Sequence, residues 1–268
     1  MKENWTEGPA KVLTIAGSDS GGAAGLQADL KTFTRLGAYG MSVITAVTAQ
    51  NSQRVEAVHP LPVEFVLAQL NAVLSDYGAA AVKSGFIGRA DLVKALASQL
   101  AQFAPPFLVV DPVLVNHQGQ SMFPPAVTQA YVNHMFPLAD LITPNLEEGA
   151  LLAGRPIPGV PDMTLAAQAI QALGPRWVLL KGGRDGSKMV DILTNGRQSW
   201  TLSSAYLDTA NTHGSGDTLS AAICVFLAQG RPMLEAVKSA HTYTAAAIKG
   251  AVNWRLGAGH GPINHFAA

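Results

Sequence analysis

Cysteine is almost missing from this chain: of 268 residues only Cys224 carries a thiol. One thiol cannot close an internal disulfide, so no covalent framework holds the fold, and a reducing, cytoplasmic setting is expected. Charge is sparse as well. Only 13% of residues are Asp, Glu, Lys or Arg, 18 acidic against 18 basic, which leaves a net charge of zero. A disordered chain shows the reverse, and a balanced sequence lacks the footprint of a nucleic-acid or anionic-membrane partner. No apolar run approaches the ~20 residues of a membrane span. The opening MKENWTEGPA has no apolar core of a signal peptide. Residues 1–10 read as a flexible tail on a single domain spanning 1–268. His241, His260 and His265 lack the tight spacing of metal ligands, so no zinc site is expected.

Hydrophobic residues, by contrast, make up 48% of the chain, enough for a large core. Short apolar runs predict strands at 11–16, 41–48, 79–84, 107–111, 140–143 and 177–181. These are near-continuous apolar segments, the pattern of a parallel sheet covered on both faces. Helical patterns fall between them, at about 24–36, 62–75, 90–103, 124–136, 145–153 and 163–173, with Pro62 and Pro124 at tolerated first-turn positions. Such alternation predicts an α/β fold, doubly wound, with a mostly parallel central sheet and helices on both faces. Two strand-like runs within 188–202 flank Asn195-Gly196 and predict a small antiparallel hairpin extension. Two helices, at about 216–229 and 232–250, follow.

In open α/β sheets, ligands bind beyond the carboxyl ends of the strands. Glycine and polar residues collect at six such ends here: AGSDSGGAAG (16–25), TAQN (48–51), KSGFIG (83–88), DPVLVNHQG (111–119), TPNLEE (143–148) and KGG (181–183). Each alone fits a tight turn; their succession points to a site. The densest signal is NTHGSGDTLSAA (211–222). Gly214, Ser215 and Gly216 lead into a helix whose first amide N–H groups lack intrahelical partners. Together with the helix dipole these groups make an anion site, and the missing side chains let a phosphate approach the backbone. Asp217 has two readings. It is an acid that favours the dipole, worth about 0.3–1 kcal/mol, or a general base that takes a proton from a hydroxyl beside a phosphate chain. No G-x-x-x-x-G-K-[ST] occurs, and strand one does not lead into G-x-G-x-x-G, so neither a Walker loop nor a dinucleotide fingerprint is present.

The GSGD turn before a small-residue helix resembles the ribokinase superfamily of ATP-dependent small-molecule kinases. TIAGSDSGGAAGLQADLKTFTRLGAYGMSVITAVTAQN (14–51), VDPVLV (110–115), LITPNLEE (141–148), LLKGG (179–183), NTHGSGDTLSAA and HGPINHF (260–266) narrow the likeness. From about residue 11 onward the chain is similar to hydroxymethylpyrimidine/phosphomethylpyrimidine kinases of thiamine biosynthesis. That resemblance implies phosphorylation of 4-amino-5-hydroxymethyl-2-methylpyrimidine and then of its monophosphate, with ATP as co-substrate and Mg²⁺ as cofactor. It also implies a homodimer or higher homo-oligomer, and roles position by position. Gly17, Asp29 and Gln50 would hold the aminopyrimidine ring, a carboxylate and an amide suiting its donor–acceptor edge. Phe86 and Val113 would flank the ring. Asp111 and Glu148 would serve Mg²⁺, partly through water, and the nucleotide phosphates; Lys181 and Ser215 would lie against those phosphates. Gly214 and Gly216 would form the anion hole, and Asp217 would be the catalytic base.

Two departures qualify the likeness. Thiamine-pathway kinases commonly carry cysteine where this chain has Asp217, whereas pyridoxal kinases of the same superfamily carry aspartate. A pyridoxal-type vitamin B6 kinase is therefore the rival reading, with a non-catalytic pyrimidine-binding protein as a second. Ala23 and Ala24 stand where Gly-Ala is usual, tolerable if the backbone there avoids positive φ. Lys83 reads as a phosphate-reaching group or a solvated surface charge, His213 as an orienting or a loop-packing residue. Asp19 reads as a cap of the first βα turn, and Cys224 as a buried structural thiol. Residues 257–262 would border the adenine by resemblance. Loops 114–122 and 184–188 are the expected mobile segments.

Overall fold

The computed structural model describes residues 8–116 and 119–267. The first seven residues of the expected tail, and His117 and Gln118 of the expected mobile loop, lie outside that range. Nine strands form one sheet in the order β3-β2-β1-β4-β5-β6-β7-β8-β9. Strands β1 (Lys11–Ser18), β2 (Tyr39–Gln50), β4 (Ala81–Ser84), β5 (Leu108–Val110), β6 (Leu141–Ile142) and β7 (Trp177–Asp185) run parallel. Antiparallel strands close both edges: β3 (Val55–Pro60) on β2, and β8 (Lys188–Thr194) with β9 (Ser199–Ala205) beyond β7. Helices cover both faces, as the alternation of periods predicts.

Each strand alternates its side chains between the two layers. Leu13, Ile15, Val82 and Val110 face a core shared with α2 (Val63–Asp76), α3 (Ala90–Phe103), α4 (Pro125–Ala130) and α6 (Val160–Gln171). Val12, Ala81, Val109 and Leu141 face the opposite core, with α1 (Gly25–Arg35), α7 (Ser215–Ala228) and α8 (Met233–Ala251). By the same alternation Thr14 and Lys83 belong to the α1/α7 layer. The chain leaves β1 for β2 on one side and later returns to β4 on the other. The carboxyl ends of β1 and β4 therefore make a topological switch point, where a crevice opens.

Two expectations change. Strand β3 has no counterpart in the sequence reading; all six of its residues are exposed, so no burial pattern marks it. The helix expected over 124–136 is regular only through Ala130. It then widens to a π-turn at Tyr131–Met135 and tightens to a 3₁₀ turn at Phe136–Leu138. Tyr131, Met135 and Phe136 are all buried, and Pro137 can donate no backbone hydrogen bond. The hairpin expected around Asn195-Gly196 is present, closed by a four-residue loop between β8 and β9. Asn195 Oδ1 accepts from the N–H groups of Arg197 and Gln198, and Gly196 takes φ 81°.

Candidate active site

The site begins with backbone. Gly214, at φ 82°, is the N-cap of α7. A side chain there would overlap the Ala23 carbonyl oxygen, so the anion loop packs directly on the loop after β1. Asp19 holds that first loop by accepting from the N–H groups of Gly21, Ala23 and Ala24 at 2.8–2.9 Å. Positive φ in the loop falls on Gly22 and Gly25, so the alanines at 23 and 24 need none. Ser215 and Gly216 follow Gly214 into α7, and Asp217 stands in its first turn.

A cavity of about 530 Å³ lies against this turn. Gly17, Gln50, Phe86, Val113, Gly216 and Asp217 are on its wall. Val113 takes φ 41°, uncommon for a β-branched residue and a local strain held by the site. Gln50 Nε2 lies 3.2 Å from His213 Nε2, so His213 faces the amide expected to read the ring. Across α7 a second opening of about 320 Å³ is lined by Asn145, Lys181, Asp191, Ser215, Gly216 and His241. It leads toward a groove of about 750 Å³ between β8–β9 and α8. Gly216 thus borders both the cavity and the opening.

Asp111 is buried, with its Oδ1 3.6 Å from Lys181 Nζ. Glu148 sits behind it. Its Oε1 accepts from Leu114 N–H at 2.8 Å and its Oε2 from Asn145 N–H at 3.0 Å, closing a capping box with Asn145 on α5 (Leu146–Ala153). Burial and the nearby Asp111 push the Glu148 carboxyl above its ordinary value.

Asp29 lies beneath the cavity, not on its wall. It has no exposed surface, and Thr14 Oγ1 donates to its Oδ2 at 2.6 Å. Lys83 is also fully buried, so it is not a solvated surface charge. Its ammonium donates to Asp29 Oδ1 at 2.6 Å and to Asp217 Oδ1 at 2.9 Å. A buried lysine needs such counter-charges. Burial pulls its pKa down, but Asp217 and Asp29 together raise it above the ordinary value. Burial also acts on Asp217, yet the Lys83 charge and hydrogen bond and the Gly25 N–H hold that carboxyl below its ordinary range. Asp29, under the same burial, is pushed up to about 7. A lysine inside the otherwise apolar run AAAVKS was the available signal for this cluster, since a buried strand does not carry an unpaired charge.

Residues 257–262 do not border the β8–α8 groove. They pack against Ser52 and the first loop, with His260 N–H donating to Ser52 O at 2.8 Å. Asp191 and His241, 3.7 Å apart, line the opening instead; neither was singled out for it from the sequence.

The geometry has recognisable relatives. The family model described as phosphomethylpyrimidine kinase matches residues 19–264. A hydroxymethylpyrimidine/phosphomethylpyrimidine kinase of Rhizobium meliloti is 46% identical over 259 residues, 96% of this chain and 97% of that protein. A pyridoxal kinase from Staphylococcus aureus in complex with AMP-PCP superposes with a TM-score of 0.90 at 35% identity, covering 97% of this chain and 95% of that one. The phosphomethylpyrimidine kinase of Clostridium difficile gives 0.80 at 39% identity, over 89% and 99% of the two chains. With a ribokinase-like sheet, a GSGD helix start and a family match over most of its length, the chain belongs to the phosphomethylpyrimidine kinases and is an ATP-dependent phosphotransferase.

Proposed function

We propose that the chain transfers the γ-phosphoryl of ATP to the hydroxymethyl oxygen of 4-amino-5-hydroxymethyl-2-methylpyrimidine, then phosphorylates the monophosphate, as a cytoplasmic enzyme of thiamine biosynthesis. One observation carries this reading: the Asp217 carboxylate and the open amides of the α7 start share the cavity wall. The acceptor alcohol occupies the 530 Å³ cavity, with Phe86 and Val113 against the ring and Gly17 giving close backbone approach. Gln50 reads the amine-bearing edge. The nucleotide lies along the β8–α8 groove, its phosphates reaching Lys181, Ser215 and Gly216. Asp217 accepts the hydroxyl proton, while the amides of the 214–217 turn, other than that of Ser215, whose N–H donates to Thr212 O at 3.1 Å, receive the negative charge spread over the transferred group.

Mg²⁺ fits this frame in a lean way. Among the described residues no group of three or more His, Cys, Asp or Glu is arranged to hold a metal. Magnesium, however, commonly binds through one or two carboxylates together with phosphates and water. Asp111, with Glu148 behind it, supplies such a set, and Lys181 Nζ stands 3.6 Å from Asp111 Oδ1 on the phosphate side. Bound there, the ion would screen the phosphates. The functional unit is a homodimer or higher homo-oligomer.

A second reading, pyridoxal phosphorylation, is favoured by the aspartate at 217 and by the 35% identical pyridoxal kinase neighbour. Because Asp29 lies below the cavity, the preference for an aminopyrimidine rests on Gln50. Side-by-side kinetics with the pyrimidine alcohol, its monophosphate and pyridoxal decide between them. The expected result is a kcat/KM for the pyrimidine alcohol at least about tenfold above that for pyridoxal, a difference of about 1.4 kcal/mol. The opposite order reverses the assignment. Binding without ATP consumption by any of the three makes the chain a binding protein.

A further inference from the structure

The buried acid–lysine–acid line has a geometry that a single ion pair does not need. Lys83 Nζ stands between two carboxylate oxygens, 2.6 Å from Asp29 and 2.9 Å from Asp217. Only Asp217 reaches the cavity: 17% of its side chain is exposed, against none for Lys83 or Asp29. With all three groups ionised the line carries one surplus negative charge, away from water. We propose that the proton leaving the acceptor hydroxyl does not rest on Asp217 but is passed through Lys83 Nζ to Asp29, a buried proton store behind the catalytic carboxylate. This rests on Asp217 being the base of the kinase reaction.

The step balances. The alcohol O–H bond breaks and the proton joins Asp217 as the new C–O–P bond forms and the bond between the γ-phosphorus and the ADP oxygen breaks. Lys83 releases one ammonium proton to Asp29 Oδ1 and takes the proton held by Asp217 Oδ1. Asp217 returns to its ionised form, the ammonium is regenerated, and Asp29 is neutral. No electron changes hands. After product leaves, the reverse passage returns the proton to water through the exposed side of Asp217. Lys83 and Asp29 are positioning residues in this scheme, because they act through Asp217 and touch no substrate.

The direction of transfer follows from burial and neighbouring charge. Burial favours the neutral form of both carboxyls, but Lys83, the Gly25 N–H and Lys181 hold Asp217 low, whereas Asp29, with no exposed surface and facing the Asp217 charge, is pushed up to about 7. Other groups facing the line are Thr14 from β1, Asp111 after β5, Lys181 from β7, Cys224 from α7 and His265 from the C-terminal segment. Of these, burial drives the Cys224 thiol up, and burial with Lys31 lowers His265 to about 4, so neither accepts a proton near neutrality. Asp29 is the store whose occupancy changes there.

Single-turnover phosphorylation, read as a function of pH, tests the idea. In the wild type the rate should fall as pH drops through about 7, where Asp29 fills before the reaction delivers its proton. Asp29→Asn is permanently filled: its rate at pH 8 should drop about tenfold or more, the limb near 7 should vanish, and KM values should stay within about twofold. Lys83→Arg keeps the positive charge, but arginine does not release a proton. A relay predicts a loss as large as that of Asp29→Asn, whereas a purely structural lysine predicts rescue. An Asp29→Asn enzyme that keeps its rate and limb overturns the proposal. So does one that only raises KM for the pyrimidine, which would place Asp29 on the ring. If a variant fails to fold, the wild-type profile still decides, because a flat rate between pH 8 and 6 excludes the store. A wild type that phosphorylates none of the three alcohols sinks the kinase reading itself; an active one with a flat profile sinks only the relay.

Discussion

Gly214 and Gly216 stand one residue apart and do different things. Gly214 takes φ 82° and leaves no room for a Cβ beside the Ala23 carbonyl. Left-handed backbone costs a residue with a Cβ about 1–2 kcal/mol before any overlap is counted. Gly214→Ala should therefore lower unfolding free energy by about 2 kcal/mol or more, with turnover falling because the first loop is displaced. At Gly216 an added Cβ would meet Lys181 Nζ at 3.4 Å and Asp111 Oδ2 at 3.7 Å, ordinary contact distances. Gly216→Ala should be as stable as the wild type, or more so by up to about 1 kcal/mol from helix propensity, yet bind nucleotide more weakly. Thermal unfolding and steady-state kinetics on the pair separate the two roles; equal stability of both variants would contradict the close packing at 214. The GSGD signal was legible because both glycine chemistry and helix starts are local. The place of Asp29 was not: whether a carboxylate touches a ring or the lysine beneath it depends on how β1, α1 and β4 stack.

Helix α7 shows how an element can be read from pattern. Apart from Ser220, residues 219–227 are apolar, and every residue from Thr218 to Leu227 is buried. Cys224 has no exposure and its thiol is pushed up by burial, so the structure gives it a packing role. Cys224→Ser should cost about 1–3 kcal/mol by burying a hydroxyl, lowering Tm while kcat stays within about twofold of wild type. A Cys224→Ser enzyme that folds as stably but loses turnover would instead tie the thiol to the chemistry. Elements with weaker burial patterns were harder. Strand β3 pairs antiparallel with β2, and with all six of its residues exposed no burial period records it. The break after Ala130 comes from fitting Tyr131, Met135 and Phe136 into a core built mostly by other elements. Propensity within 124–136 carries no trace of it.

In the whole molecule, six parallel strands and their crossovers bring the loops after β1, β4, β5 and β6 together beyond the carboxyl ends of the sheet. That much was legible, because alternating periods fix a doubly wound sheet and the sheet fixes where ligands lie. The antiparallel strands at both edges refine the outline without moving the site. What the order of strands adds is convergence: α1, β4 and α7 meet at the switch point, bringing Asp29, Lys83 and Asp217 from distant parts of the chain into one line. The chemistry turns on Asp217. Its most direct test is the single-turnover rate of Asp217→Asn with ATP and 4-amino-5-hydroxymethyl-2-methylpyrimidine, with nucleotide affinity measured alongside. The predicted result is a rate lower by about 10²–10⁴ with ATP binding little changed. A folded variant that transfers phosphoryl at close to the wild-type rate would contradict it.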